Sequence, residues 1–297
     1  MPEAQLSVVI AAAELSGLGR CLASLAAQRE AEAAEVVIAA SGWDEAAERL
    51  RAEHPELHFV CLPARSTVPD LLGAGLAQAT GEIIAITDSA CVADAGWLAA
   101  VREAHRDAAP VIGGAVEIAG ARSAVDWAAY FCEYAQFMRP LAEGPAGELP
   151  GNNLSLKRWA LERGEPYARP AFWKTYWCRR LQAEGFELRA SPAIVVYAAK
   201  AYRVGPFLAR RFRHGRCFAG MRVARSGAAA RALYACGSVA LPVIFLGRIL
   251  RVVAQKRRYA KEFALAFPLV VLAVAAWSAG ELCGYVAGAG ESCGEIY

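Results

Sequence analysis

Asp88 is the first residue whose type and place suggest chemistry. It ends the run IIAITD (83–88), in which apolar residues lead to Thr87 and then to a single carboxylate. That pattern predicts a buried strand delivering an acid to the edge of a sheet. A carboxylate so placed suits a divalent cation, Mg²⁺ or Mn²⁺, since Mg²⁺ takes one or two carboxylates and completes its shell with phosphates and water. Ser89 adds a hydroxyl, while Ala90 leaves the next alternate position without a second acid. The competing role for Asp88 and Ser89 is to cap a turn. Asp94 is expected to cap a helix starting near Gly96.

Further polar candidates stand at similar places. Ser41 and Asp44 follow the apolar run VVIAA, and Asn152 and Asn153 follow a Pro-Gly turn. The asparagines suit hydrogen bonds to a polar ligand or the holding of their loop. Glu133 lies in YFCEYAQF, where apolar neighbours would raise its pKa and make it a base. Its other role is a partly exposed helix residue. Lys174 is no base at an ordinary pKa of about 10.4. It suits neutralisation of a leaving anion, or simple solvation. Trp43, Trp97 and Trp173 are expected in the core.

The elements that must position these groups are legible as alternation. Leu6 to Ala12, Val36 to Ala40, His58 to Leu62, Ile83 to Thr87 and VIGGAVEI read as strands. Helical patterns separate them at Leu18 to Gln28, Asp44 to Glu53, Pro69 to Thr80 and Gly96 to Arg106. Strands apolar on both faces, with helices between, predict an α/β domain with a mainly parallel sheet. Ligands bind such sheets outside the carboxyl ends of the strands. GAGLAQ at Gly73 is no dinucleotide fingerprint, because it lies inside a helical pattern and lacks Gly or Ala at its sixth place.

The last hundred residues differ in character. Hydrophobic residues make up 56% of the 297-residue chain, and the mean hydropathy is +0.27, above the usual soluble share of about 45–50% apolar. The net charge of +3 is too small to argue for nucleic acid. Val204 to Arg225 reads as a basic amphipathic helix for a membrane interface. Ala232 to Gly247, interrupted by Pro242, and Phe263 to Gly280 are uncharged. The second approaches the ~20 residues a spanning helix needs. The basic loop between them, Arg248 to Lys261, belongs on the cytoplasmic side by the positive-inside rule. The expected organisation is residues 1–202 as the α/β domain, 203–231 as the interfacial helix, and 232–297 as a membrane region with one or two spans. The nine cysteines are scattered and without a C-x-x-C pair. They predict neither disulfide framework nor zinc site, but small core residues in a reducing compartment. MPEAQ does not resemble a secretion signal, so the first domain is expected in the cytoplasm.

Taken together, these stretches resemble a family 2 glycosyltransferase of GT-A fold. SVVIAA, a helix ending SLAAQ, and EVVIAASG are similar to that family's nucleotide-binding opening. ATGEIIAITDSACVADAGWL resembles its A-x-G-E segment, D-x-D metal motif and P-x-x-W-L. VIGGAVEI, PGNNLSLKRWAL and RRLQAEGFELRASPAIVVY extend the likeness, and LPVIFLGRIL with WSAGELCGYVAG resembles the membrane tail of bacterial members. The resemblance implies sugar transfer from a UDP- or GDP-linked donor to an acceptor hydroxyl in polysaccharide or glycolipid assembly. It implies Asp88 at the metal or diphosphate, and Ser41, Asp44, Ser89, Asn152 and Asn153 near the donor. It also implies the bacterial inner membrane, with membrane lipid and polysaccharide-pathway enzymes as partners. The chain departs from the pattern at Ala40, at Ala90, at Trp173 and Lys174 where an acidic pair would open a helix, and at Ala198. Those departures support the other reading, a non-catalytic relative acting as a binding partner at the membrane.

Overall fold

The computed structural model describes residues 5–42, 45–120, 123–163 and 167–295. Two units divide the chain by its internal contacts: residues 1–119 with 137–200, and residues 120–136 with 201–296. Asp44 and Trp43 lie outside the described residues.

The first unit is built on β1 (Leu6–Ala12), whose seven residues are all buried. α1 (Leu18–Ala31) leads to β2 (Glu35–Ser41), α2 (Glu45–Glu53) to β3 (His58–Leu62), and α3 (Val68–Gln78) to β4 (Ile83–Asp88). The hairpin strand β5 (Cys91–Ala93), α4 (Trp97–Ala104) and β6 (Val111–Ile118) follow. α5 (Ala124–Tyr134) belongs to the second unit, and the chain returns through β7 (Gly144–Pro145), β8 (Leu154–Lys157), α6 (Arg158–Arg163), α7 (Lys174–Ala183) and β9 (Leu188–Ala198).

The sheet order is β3-β2-β1-β4-β8-β6-β9-β5, with β7 beside β9. Its long ladders, β1 with β2 and β4, β2 with β3, and β6 with β9, are parallel. β8 runs antiparallel between β4 and β6. The predicted α/β domain with a mainly parallel sheet is therefore the observed one, although β8 was not anticipated. LSLK alternates too briefly to announce a strand, and only its two neighbours make it one.

Local chemistry sets the element ends. Thr67 and Asp70 form a reciprocal capping box at α3, where each side chain accepts from the other residue's backbone N–H, with Pro69 in the first turn. Gly96, by contrast, caps α4 without a side chain. Asp94, expected as that cap, instead accepts from the Tyr197 hydroxyl at 3.0 Å. The reason is tertiary: β5 pairs with β9 and sets Val92 opposite Tyr197.

His105 closes the far end of this core. It is 5% exposed, with Nε2 2.9 Å from Ser155 Oγ. Burial, and then the Lys157 charge, push its pKa down to about 4 from 6.5. Between those values the unfolded chain binds more protons than the folded one, so this residue's contribution is lost as pH falls through that window. His105→Gln is expected to remove up to about 3 kcal/mol of acid sensitivity. The check is unfolding of both proteins at neutral pH and near the lower pKa. Equal pH dependence would refute this.

In the second unit, α8 (Val204–Arg222), α9 (Ala228–Ser238), α10 (Leu241–Lys256) and α11 (Ala260–Ala287) are joined by α5. α8 and α11 approach at backbone distance because glycines line the seam. A Cβ on Gly215 would stand 2.2 Å from the Trp277 carbonyl oxygen, and one on Gly280 2.1 Å from that of Phe212. α11 is long and apolar enough to cross a membrane, and α9 with α10, bent by 53°, qualify only jointly. Cys217 and Cys293 form a disulfide across 76 positions. That single bond runs against the expectation of no disulfide framework and of thiols in a reducing compartment, since spacing along the chain is silent about residues that α8 and the turn after α11 bring together.

Candidate active site

The site grows from the end of β4. β1 pairs Ala11 with Asp88, and the Ser89 N–H donates to the Ala11 carbonyl at 3.0 Å. The Ser89 hydroxyl donates to the Glu14 carbonyl at 2.7 Å. Asp88 Oδ1 accepts from the Ala90 N–H at 2.9 Å. Gly17 belongs to this arrangement, because a Cβ there would come within 2.4 Å of the Ser89 carbonyl oxygen. Thus Ser89, expected near the ligand, serves mainly to lock the turn, and Asp88 is fixed in direction at the carboxyl edge.

Beneath the turn the groups are neutral. The Cys91 thiol is held well above its ordinary range by burial and then by the Asp88 charge. Burial and the same charge push Cys21 up to about 12. Both thiols stay protonated at neutral pH and are not metal ligands in that state. Asn152 Nδ2 donates to Cys91 Sγ at 3.3 Å. One buried oxygen beside this arrangement, Asn152 Oδ1, has no hydrogen-bond partner within the protein. Buried polar atoms in folded proteins are otherwise almost always paired.

Asn153 is fully buried. Its Oδ1 accepts from Trp97 Nε1 at 2.8 Å, and its Nδ2 donates to the carbonyls of Ala115 and Ile194 at 2.8 and 3.0 Å. This asparagine therefore ties β6 to β9 and α4, and both its donors are spent on the framework. Ser41 ends β2, partly exposed, in register with Leu62.

Lys174 opens α7. Its ammonium donates to the Leu149 carbonyl at 2.6 Å and stands 3.9 Å from Glu148. A cation at a helix N-terminus opposes the macrodipole, and these acceptors offset that cost. Glu133 lies in the second unit, where Arg210 donates to its carboxylate at 2.7 Å. The expected unpaired base is therefore half of an ion pair, because α5 faces α8 through these two residues.

Sequence reasoning passed over one cluster on the same strand edge. Glu117, 2% exposed, accepts from both the N–H and Nε of Arg139, at 3.0 and 3.2 Å. Tyr197, paired with Glu117 across β6 and β9, donates to Asp94. Burial and then the Asp94 carboxylate raise the Tyr197 pKa. The available signal was a lone acid in the apolar strand VIGGAVEI.

A divalent cation would find one carboxylate here. Among the described residues, no group of three or more His, Cys, Asp or Glu is gathered for a metal. Asp88 fits such an ion only as one ligand among oxygens supplied by a diphosphate and water.

A mostly parallel α/β sheet with a carboxylate turn after its fourth strand is the arrangement of the GT-A fold. Residues 7–152 match the family model described as glycosyl transferase family 2, and the chain belongs to that family. Among solved structures, the mannosyltransferase PcManGT from Pyrobaculum calidifontis, in complex with GDP-Man and Mn²⁺, is similar with a TM-score of 0.57 at 19% identity. The likeness covers 94% of this chain and 87% of that one, and it shows the shared fold. S. aureus TarS matches with a TM-score of 0.49 at 14% identity, over 94% of this chain and 90% of that one. No curated protein matches the sequence.

Removing the Arg139 side chain leaves Glu117 buried with only a backbone donor among these two bonds. Loss of one partner of a buried pair costs about 3–5 kcal/mol. Arg139 is 41% exposed at its side chain, so Arg139→Ala is expected near or below the lower figure. Denaturant unfolding measures it, and a change within experimental error would show that the pair holds nothing.

Proposed function

We propose that this chain is a membrane-associated glycosyltransferase that takes a sugar from a UDP- or GDP-linked donor. The acceptor is a hydroxyl in polysaccharide or glycolipid assembly. The observation that carries this reading is the Asp88 carboxylate, oriented by the Ala90 N–H at the carboxyl edge of the sheet. A diphosphate with its divalent cation is a ligand suited to a single carboxylate so placed. The GDP-Man held with Mn²⁺ by the Pyrobaculum protein is a ligand of that chemistry.

In the transfer, the acceptor oxygen attacks the anomeric carbon as the bond to the diphosphate breaks. The hydroxyl proton passes to a base. A bound Mg²⁺ or Mn²⁺ would supply charge stabilisation to the departing diphosphate. Asp88 would offer it one oxygen, Ser41 would face the nucleoside and Asn152 the sugar, and Asp44 is proposed as a nucleoside contact on the family resemblance alone. Lys174 holds the loop that carries Asn152, through the Leu149 carbonyl.

A second reading has its own support. An ammonium, not a carboxylate, occupies the start of α7 and is engaged by Leu149 and Glu148. This favours a relative that binds the donor, or a partner enzyme, without turnover. Titration of UDP- and GDP-sugars with and without Mn²⁺, following binding and nucleotide release, separates the two. Metal-dependent release lost in Asp88→Ala is the result expected of the enzyme. Binding without release would establish the second reading in its donor-binding form, and no binding at millimolar donor would sink the enzyme and leave only the relative that binds a partner.

Attachment to the membrane rests on the second unit. Leu233, Val239, Val243 and Leu265 are 68–76% exposed, a concentration of apolar surface that marks a membrane or a partner. The basic residues around the turn from α10 to α11 favour the cytoplasmic face of the bacterial inner membrane, whereas the Cys217–Cys293 bond weighs against a reducing surrounding. In liposome flotation the chain is expected to float, and Val239→Glu with Val243→Glu to reduce the floating fraction. Unchanged flotation would exclude this surface from attachment.

A further inference from the structure

The first unit carries a concavity at the opposite end of β4 from Asp88. It is a cleft of about 540 Å³ lined by Glu82, Ile83, His105, Lys157, Arg158, Trp159 and Glu162. Ile83 begins β4 and Asp88 ends it, so at about 3.3 Å per residue the cleft is roughly 15 Å or more from the carboxylate turn. The two do not form one site.

Its charges cancel: Glu82 and Glu162 oppose Lys157 and Arg158. The cations are also engaged by the fold. Lys157 Nζ donates to the Asp107 carbonyl at 2.6 Å. Arg158 Nε and Nη2 donate to the carbonyls of Gly81 and Ala79, at 2.9 and 2.6 Å. These contacts fix the direction of both cations, and the balanced charge gives neither a free phosphate nor a free cation a net attraction. A neutral ligand meets two carboxylates that accept hydrogen bonds, the remaining N–H donors of the two cations, and an indole.

Trp159 is 40% exposed although it packs at 5.3 Å on Phe186. Phe186 thereby holds the indole in place while its remaining surface faces solvent. An aromatic surface flanked by carboxylate acceptors is suited to a ring with C–H groups on one face and hydroxyls at its rim. His105 contributes a neutral, buried wall, with Ser155 Oγ, which bonds its Nε2, in turn donating to the Ile112 carbonyl at 3.3 Å.

We propose that this cleft binds a neutral saccharide, as a glycan-holding site separate from the transfer site. Trp159 is the platform, and Glu82 and Glu162 accept from hydroxyls. The inference does not require the chain to turn over a donor, since a non-catalytic relative would hold a glycan in the same way.

The test is titration of the full chain in detergent with methyl glycosides of glucose, galactose, mannose and N-acetylglucosamine, followed by ligand-observed NMR. Inorganic phosphate and tetramethylammonium serve as charged probes. At least one glycoside is expected to bind in the millimolar range. Trp159→Ala should weaken it at least about tenfold, Trp159→Phe should retain most of it, and Glu162→Gln should weaken it. Asp88→Ala should leave it unchanged, which separates this proposal from the donor site. Absence of binding by every glycoside at tens of millimolar would overturn it. So would equal binding by Trp159→Ala, or selective binding of a charged probe.

Discussion

Burial of β1 on both faces is the constraint from which the rest follows. None of its seven residues reaches solvent, and its neighbours β2 and β4 are buried nearly to their ends. In such a sheet a polar group has a place only where a strand stops, because within the strand it would be stripped of water with no ligand to replace it. Even Ser7, the polar exception inside β1, is tied to Glu35 and to the Gly81 N–H. The chemistry is driven to the carboxyl edge, and the backbone there is fixed by β1 itself through Ala11 and Ser89.

At that edge the polar residues divide by what their atoms already touch. Ser89 and Asn153 spend their donors on carbonyls and hold the frame. Asn152 keeps an oxygen without a partner in the protein. Asp88 lies between these groups, held by a turn yet placed at the opening. A preorganised edge of this kind costs little reorganisation when a charged ligand arrives. The ion pair of Glu117 with Arg139 supports the same edge from β6.

Much of the fold was legible because its signals are local. Apolar runs of strand length and periodic helices announced the sheet, the helix from Pro69 among them. The candidate site was legible in part. Asp88 was found because a strand's end shows in the sequence. Glu117 was passed over, since its partner Arg139 is 22 positions away. Glu133 drew notice as a lone acid among apolar residues and Lys174 as a cation where an acid was expected, and each has a partner in the fold. The Cys217–Cys293 bond was hidden for the same reason.

By itself the sequence determined the class of fold, the strand edge that carries the polar groups, and the apolar, basic character of the last hundred residues. These depend on the periodicity of neighbouring residues and on composition, which a chain carries before it folds. Only the tertiary structure decided which polar atoms remain free at that edge, and that the opposite end of β4 bears a charge-balanced cleft with Trp159 exposed. Hydrogen-bond satisfaction depends on atoms brought together from distant segments, and no spacing along the chain records it.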